Sequence, residues 1–178
     1  MHSLELFAGA GGLALATANA GFHHRAVVEW NPNACATLRF NHESGLSQLA
    51  GAEIVEGDVS GYDFKQHAGN VQLVSGGPPC QPFSIGGSHG GMDDERNMFP
   101  QAVRAVREIQ PQAFIFENVK GLLRESFASY FQYIIHQLSY PDIERRGDEE
   151  WTDHLRGSAS GGHRATDVMQ IVNSRTSR

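Results

Sequence analysis

The chain has 178 residues, of which 40% are hydrophobic and 19% are charged, and this composition excludes a disordered protein. The length suits one domain with a sizeable core and is too short for two domains of ordinary size. The formal net charge of −6 excludes a surface that binds nucleic acid by basic charge alone.

The cysteines and the N-terminal residues indicate the cellular location. Cys35 and Cys80 lie too far apart to suggest a disulfide framework, which favours the reducing cytoplasm. Residues 1–5 carry no basic region, and no long apolar run follows them, so the sequence predicts neither a signal peptide nor a membrane span. His23 and His24 have no Cys, Asp or Glu at ligand spacing, so we expect no metal site.

The first predicted elements are a strand, a glycine-rich turn and a helix. Residues 4–7 predict a short strand, residues 8–12 supply the turn, and residues 13–20 favour a helix that Gly21 ends. In this order they open a nucleotide-binding α/β unit, in which the backbone approaches a ligand at the helix N-terminus. The alternative for such glycines is a tight turn that serves only close helix packing.

The second predicted strand, residues 25–29, ends in an acidic residue about twenty positions after the glycines. Nucleotide-binding folds place there the carboxylate that accepts hydrogen bonds from ribose hydroxyls, so Glu29 is the predicted hydroxyl binder. Trp30 follows, and an aromatic residue in this place either stacks on a purine or caps the core. A helix then runs from residue 31 to about residue 40, with Pro32 near its first turn.

The third and fourth predicted strands are residues 53–56 and 71–74. Asp58, just beyond the third, suits a turn or a helix cap. The fourth leads into a loop of Gly and Pro that presents Cys80 on a stiff backbone. A lone intracellular cysteine is usually a small buried hydrophobe, whereas stiff flanks suit a nucleophile that must meet one atom. The glycine-rich residues 85–97 predict either a mobile flap or a disordered connection.

The second half of the chain continues the alternation of helices and strands. Residues 99–109 predict a helix with a buried apolar stripe, and residues 112–116 predict the fifth strand. Glu117 follows directly, and a carboxylate at the end of an apolar strand is expected to be partly desolvated, which makes its protonated form more accessible. Residues 125–138 carry another buried helical stripe. The later residues predict a solvated loop over 141–162 and a sixth strand over 168–172.

Four stretches together resemble motifs of the C5-cytosine-specific DNA methyltransferases: residues 7–12 (FAGAGG), 29–30 (EW), 77–84 (GPPCQPFS) and 117–119 (ENV). Asp58 and residues 96–99 fall where the family has two weaker motifs. The match runs from about Leu4 to Tyr140. The resemblance implies the α/β class, with a Rossmann-like S-adenosylmethionine-dependent methyltransferase fold and a mostly parallel, doubly wound sheet.

The resemblance also implies a pocket for the cofactor S-adenosyl-L-methionine, formed by seven residues: Phe7, Gly9, Gly11, Glu29, Trp30, Asp58 and Met98. The two aromatic residues would flank the adenine, and the two glycines would line the methionine end. The glutamate would take the ribose hydroxyls, and the aspartate would contact the adenine amino group.

The catalytic residues implied by the resemblance are Cys80, Glu117 and Asn118. The Cys80 thiolate would add to C6 of cytosine, which makes C5 able to attack the sulfonium methyl group. Glu117 would stabilise the charge that builds toward N3, and Asn118 would help to hold the loop. The substrate would be cytosine flipped out of double-stranded DNA, as in a restriction-modification system.

The sequence also departs from the family pattern. The family's Gln-Arg-Arg segment, target-recognition domain and closing segment are not found, and residues 174–178 do not match. We therefore expect a catalytic domain over 1–140 and a loop with the start of a strand over 141–178. The domain would be incomplete at its C-terminus, either because the gene is truncated or frameshifted or because the chain is one subunit of a split enzyme. In the second case a complementing chain would supply target recognition. The alternatives are a transfer-RNA cytosine-5 methyltransferase and an inactive cofactor- or partner-binding remnant.

Overall fold

The computed structural model describes residues 1–79 and 97–158. Its strands are β1 (His2–Leu6), β2 (His23–Glu29), β3 (Glu53–Glu56), β4 (Leu73–Gly76) and β5 (Ala113–Phe116). Its helices are α1 (Gly12–Asn19), α2 (Pro32–Glu43), α3 (Phe99–Ile109), α4 (Ala128–Ser139) and α5 (Trp151–Ser158). Short 3₁₀ helices cover Ser47–Leu49, Val59–Gly61, Lys65–His67, Lys120–Leu123 and Glu125–Phe127.

The five strands form one sheet in the order β3-β2-β1-β4-β5, and every neighbouring pair is parallel. This confirms the predicted Rossmann-like α/β fold. The chain moves outward from β1 to β3, then returns to place β4 on the other side of β1. In such sheets ligands bind beyond the carboxyl ends of the strands where the order reverses, which here lies between β1 and β4.

Helices cover both faces of the central strands, so the apolar side chains of these strands are buried on both faces, with polar residues such as Glu5 and Ser75 buried among them. Side chains alternate between the faces, so Val27 and Val28 enter different cores. Val28 packs in the cluster that includes Ile109 of α3. Val27 packs in the cluster that includes Ala14 of α1 and Leu38 of α2. The sheet is therefore doubly wound.

The predicted loop over 141–162 is wrong for residues 151–158, which form α5. Trp151 and Leu155 lie one helical turn apart and pack against the cluster that includes Tyr133 and Ile134 of α4. The Tyr133 hydroxyl also makes a 2.8 Å hydrogen bond with Nδ1 of His154. These contacts with α4 stabilise α5. The helix was not predicted because the residues before it are mostly charged and those at its end are rich in Gly and Ser. The strand predicted over 168–172 lies outside the described residues.

Glu5 in the middle of β1 is a carboxyl group inside the core. Its side chain is 1% exposed, and the Ser75 hydroxyl on β4 donates a hydrogen bond to its Oε2. Burial raises the pKa of Glu5 from 4.5 to about 7, although the Ser75 hydrogen bond acts in the opposite direction. The native protein therefore favours the neutral form of this group.

We expect Glu5→Gln to abolish a pH dependence of stability. Between about pH 4.5 and 7 the folded protein binds more protons at Glu5 than the unfolded chain does, so the wild-type free energy of unfolding falls as pH rises. The free energy of unfolding of the wild type falls by about 3 kcal/mol in total across this pH window, and above the window Glu5 causes no further change. Urea unfolding at pH 5 and pH 8 measures it, with the exposed Glu53→Gln as control. Equal pH dependence in wild type and Glu5→Gln would contradict this expectation.

Candidate functional site

A pocket of about 480 Å³ lies beyond the carboxyl ends of the strands, at the reversal of strand order. Six of the seven residues predicted to hold the cofactor contribute to its walls, and the exception is Gly11. The lining residues are Phe7, Gly9, Val28, Glu29, Trp30, Gly57, Asp58, Val59, Gly77, Pro79 and Met98. Residues from five separate stretches of the chain are thus brought to one site.

The turn after β1 bends the backbone around the edge of the pocket. Phe7 has φ 53°, in the left-handed region that costs a non-glycine residue about 1–2 kcal/mol. Gly9 follows with φ 54°. Two lining residues therefore depend on an unusual backbone conformation, a type of strain that is concentrated at functional sites.

Gly11 has a packing role in this structure. It precedes α1 with φ 94°, and a Cβ at this position would lie 2.8 Å from Cδ2 of Leu38. A side chain here would displace the Leu38 side chain of α2, and the positive φ would strain any residue other than glycine. For Gly11 the geometry therefore favours close helix packing, the alternative raised by the sequence, and its contact with a cofactor stays a prediction.

Glu29 joins the loops that follow β1 and β2. Its side chain is 93% removed from solvent, since the residue is 7% exposed. One carboxylate oxygen accepts a hydrogen bond from Gly9 N at 2.8 Å. The other accepts from Trp30 N at 3.0 Å and from Asn31 N at 2.8 Å. A carboxylate offers about four acceptor positions, so one remains for a hydroxyl donor.

The sequence leaves two roles open for Trp30, stacking on a purine or capping the core, and it gives Asp58 the role of a turn residue or helix cap. Trp30 is 74% exposed, so it does not cap the core, and its ring stands at the pocket. Asp58 does cap a helix, because its Oδ1 accepts from Ser60 N at 2.8 Å, and it lines the pocket as well. That backbone hydrogen bond lowers the pKa of Asp58, which keeps the carboxylate ionised.

Cys80 lies outside the described residues, as does most of the glycine-rich segment over 85–97, but the backbone that leads to Cys80 is described. Three hydrogen bonds hold it: Glu117 N to Gly76 O (3.0 Å), Asn118 Nδ2 to Pro78 O (2.7 Å) and Met98 N to Pro79 O (3.3 Å). Gly76 itself has no room for a Cβ, which would clash with the Leu6 carbonyl oxygen. The predicted nucleophile thus follows a fixed backbone.

The expected desolvation of Glu117 is wrong for this structure. Glu117 is exposed, and its Oε2 lies 3.7 Å from the point where a Cβ on Gly77 would stand. In the described sheet β5 is an edge strand, so solvent reaches the group at its carboxyl end. The carboxylate is nevertheless beside the loop that leads to Cys80.

Five lining residues are not among the predicted cofactor residues, namely Val28, Gly57, Val59, Gly77 and Pro79, although Gly57 and Val59 flank the predicted Asp58. In residues 1–79 and 97–158 no group of three or more His, Cys, Asp or Glu could hold a metal ion. The helices described in the same ranges are all too short or too polar to cross a membrane.

Comparisons with known proteins show the family. The family model for the C-5 cytosine-specific DNA methylases matches residues 1–141. The chain is 43% identical to the Type II methyltransferase M.NgoMIV of Neisseria gonorrhoeae, over 77% of this chain and 41% of that relative. It is 42% identical to M.NaeI of Lentzea aerocolonigenes, over 78% of this chain and 32% of that relative. The chain therefore spans less than half the length of either relative.

A solved structure is also similar. It is a DNA modification methyltransferase encoded within a prophage of Escherichia coli, and it superposes with a TM-score of 0.60 at 30% identity. The superposition covers 78% of this chain and 38% of that one.

Proposed function

The chain belongs to the C-5 cytosine-specific DNA methylase family, and from this premise we propose that it transfers a methyl group from S-adenosyl-L-methionine to C5 of cytosine in double-stranded DNA. The reaction would serve a restriction-modification system. One observation carries the proposal: Phe7, Glu29, Trp30, Asp58 and Met98, which the family pattern assigns to the cofactor, line a single pocket.

The residues of the pocket fit the proposed cofactor. Its volume of about 480 Å³ suits a ligand of nucleoside size. The exposed indole of Trp30 offers a flat apolar face for a purine. The remaining acceptor position on Glu29 suits a ribose hydroxyl, and the ionised Asp58 suits an amino group.

Trp30→Ala tests the purine site with little effect on the fold. We expect it to weaken the binding of S-adenosylhomocysteine about 10- to 100-fold, because base–aromatic stacking is worth about 1–3 kcal/mol. The free energy of unfolding should change by less than about 0.5 kcal/mol, since the side chain is exposed. Calorimetric titration and urea unfolding measure the two effects. Phe40→Ala is the matched control, because Phe40 is 70% exposed on α2 and does not line the pocket. Equal affinities in both variants would exclude the stacking role.

Bound S-adenosyl-L-methionine supplies an electrophilic methyl group. The Cys80 thiolate would add to C6 of cytosine, and this addition would make C5 a nucleophile that bonds to the methyl carbon as the methyl–sulfur bond breaks and S-adenosylhomocysteine leaves. A base would then take the C5 proton, and the electron pair of that C–H bond would re-form the C5–C6 double bond as the Cys80 thiolate is expelled. Asn118 holds the carbonyl of Pro78, so the nucleophile approaches from a fixed backbone. Glu117, which lies beside Gly77, would act at N3, where negative charge builds, as a proton donor or hydrogen-bond partner.

We also propose that a complementing chain with a target-recognition domain contributes to DNA binding. The net charge of −6 supports this, because phosphate contacts call for clustered Lys and Arg. The family description favours DNA over RNA as the substrate. The proposed location is the cytoplasm, where cellular DNA is accessible to such an enzyme.

Transfer of a labelled methyl group to mixed-sequence duplex DNA tests the function, with and without the C-terminal half of the gonococcal relative. Label recovered as 5-methylcytosine supports the proposal. Label that enters transfer RNA and not DNA would replace it with the RNA alternative. S-adenosylhomocysteine binding without transfer to either nucleic acid, even with the added half, would favour the inactive remnant.

A further inference from the structure

Building on the proposed function, we infer that Arg104 is a positioning residue of the cofactor pocket. Its guanidinium holds the part of the pocket wall formed by Asp58 and Val59. Arg104 itself is not among the lining residues, so it acts through the wall and not through contact with the cofactor.

Arg104 lies on α3 and reaches the 3₁₀ helix Val59–Gly61. Its Nη2 donates to the carbonyl oxygen of Val59 at 2.7 Å and to that of Ser60 at 3.3 Å. Its Nη1 donates to the carbonyl oxygen of Tyr62 at 3.2 Å. The Val59 carbonyl oxygen also accepts from Tyr62 N at 3.1 Å, and the planar guanidinium adds a second donor there while it binds the carbonyl oxygens of Ser60 and Tyr62.

The guanidinium is itself held in place by three neighbours. Its Nε donates to Oε1 of Gln101 at 2.7 Å, and Nη1 lies 3.5 Å from Oε2 of Glu108. Its Cζ stands 4.4 Å from the centroid of the Phe64 ring, within the range of a cation–π contact. The side chain is 21% exposed. These three contacts therefore fix the orientation of the guanidinium that binds the carbonyl groups.

A helix of three residues has almost no stability of its own, so its position depends on its two ends. Asp58 caps the first end through Ser60 N, and Arg104 binds the carbonyl oxygens of Val59 and Ser60 within the helix and of Tyr62 just after it. Met98, which also lines the pocket, immediately precedes α3. Through Arg104, α3 therefore positions two parts of the pocket lining: Met98 at its own start, and Asp58 and Val59 at the 3₁₀ helix.

Arg107→Met is the matched control for Arg104→Met. Arg107 lies on the same helix and makes an ion pair with Glu144 at 3.3 Å, away from the 3₁₀ helix. We expect Arg104→Met to weaken the binding of S-adenosylhomocysteine about tenfold and Arg107→Met to leave it unchanged. Arg104→Lys keeps the charge without the planar fork, so its affinity should lie between wild type and Arg104→Met.

Two readouts separate positioning from general stabilisation. Amide hydrogen exchange without ligand should become faster at Gly61 and Tyr62 in Arg104→Met and stay unchanged in β2. In an Asp58→Ala background, Arg104→Met should cost much less affinity than in wild type, because the group it positions is already absent.

If Arg104→Met binds S-adenosylhomocysteine as tightly as the wild type does, the inference is overturned and the proposed function is unaffected. The same loss of affinity in the wild-type and Asp58→Ala backgrounds also overturns it, since Arg104 would then act only on the fold. Failure of the wild-type chain to bind S-adenosylhomocysteine overturns the proposed function instead. The exchange measurement needs no ligand, so unchanged exchange at Gly61 and Tyr62 overturns the inference in that case too.

Discussion

Cys80→Ser is expected to lower methyl transfer by about a thousandfold or more while leaving the affinity for S-adenosylhomocysteine unchanged. A serine hydroxyl stays protonated near neutral pH, whereas a thiol supplies a thiolate nucleophile. Without addition to C6, C5 of cytosine remains part of an aromatic ring and does not attack the methyl group. Cofactor affinity is retained because the sulfur reacts with the base and not with the cofactor.

The other cysteine of the chain provides the control. Cys35 is fully buried, donates its S–H to the Glu29 carbonyl oxygen at 3.3 Å, and has a pKa raised by burial. Cys35→Ala should therefore keep most of the transfer activity, measured with whatever complementing chain the wild type requires. Duplex DNA with 5-fluorocytosine should trap a covalent adduct in wild type and in Cys35→Ala, because fluorine at C5 cannot leave as a proton does. An adduct in Cys80→Ser would disprove the assignment of the nucleophile.

Local sequence signals were sufficient to predict the strands of the sheet and most of the residues that line the pocket. The bounds predicted for β3 and α3 agree with the structure, because β3 has an Ile-Val pair that stops at Gly57 and α3 has an apolar stripe at helical spacing with Pro100 in its first turn. Parallel strands covered on both faces have nearly continuous apolar sequences, and the residues after them meet at one edge. The positions of Glu29, Trp30 and Asp58 follow from this rule once the strands are located.

The errors occur where distant contacts decide the outcome. The α5 helix depends on the packing of Trp151 and Leu155 against α4. The exposure of Glu117 depends on the place of β5 in the strand order, which no local pattern contains. The space available at Gly11 is limited by Leu38 of α2, a contact that the local sequence does not show. Arg104 also went unnoticed, because its partners are backbone carbonyl groups that have no signature in the sequence.

Glu29→Gln is expected to weaken the binding of S-adenosylhomocysteine about a hundredfold and to destabilise the fold by about 2 kcal/mol. The carboxylate accepts backbone hydrogen bonds on both oxygens, from Gly9 on one side and from Trp30 and Asn31 on the other. An amide has one oxygen and one NH₂ group, so in either orientation an NH₂ group faces a backbone N–H. Such a buried, unsatisfied donor costs about 1–3 kcal/mol and displaces the turn that lines the pocket.

Glu56→Gln separates this effect from a general loss of negative charge. Glu56 ends β3 beside Glu29 in the parallel register, but its carboxylate pairs with Arg39 at 2.6 Å on the surface. An exposed pair contributes little, so both affinity and stability should stay close to wild type. Calorimetric titration and urea unfolding of the two variants give the comparison. If Glu29→Gln bound the ligand as tightly as Glu56→Gln, the carboxylate would be a structural link between two loops and the ribose hydroxyls would need another acceptor.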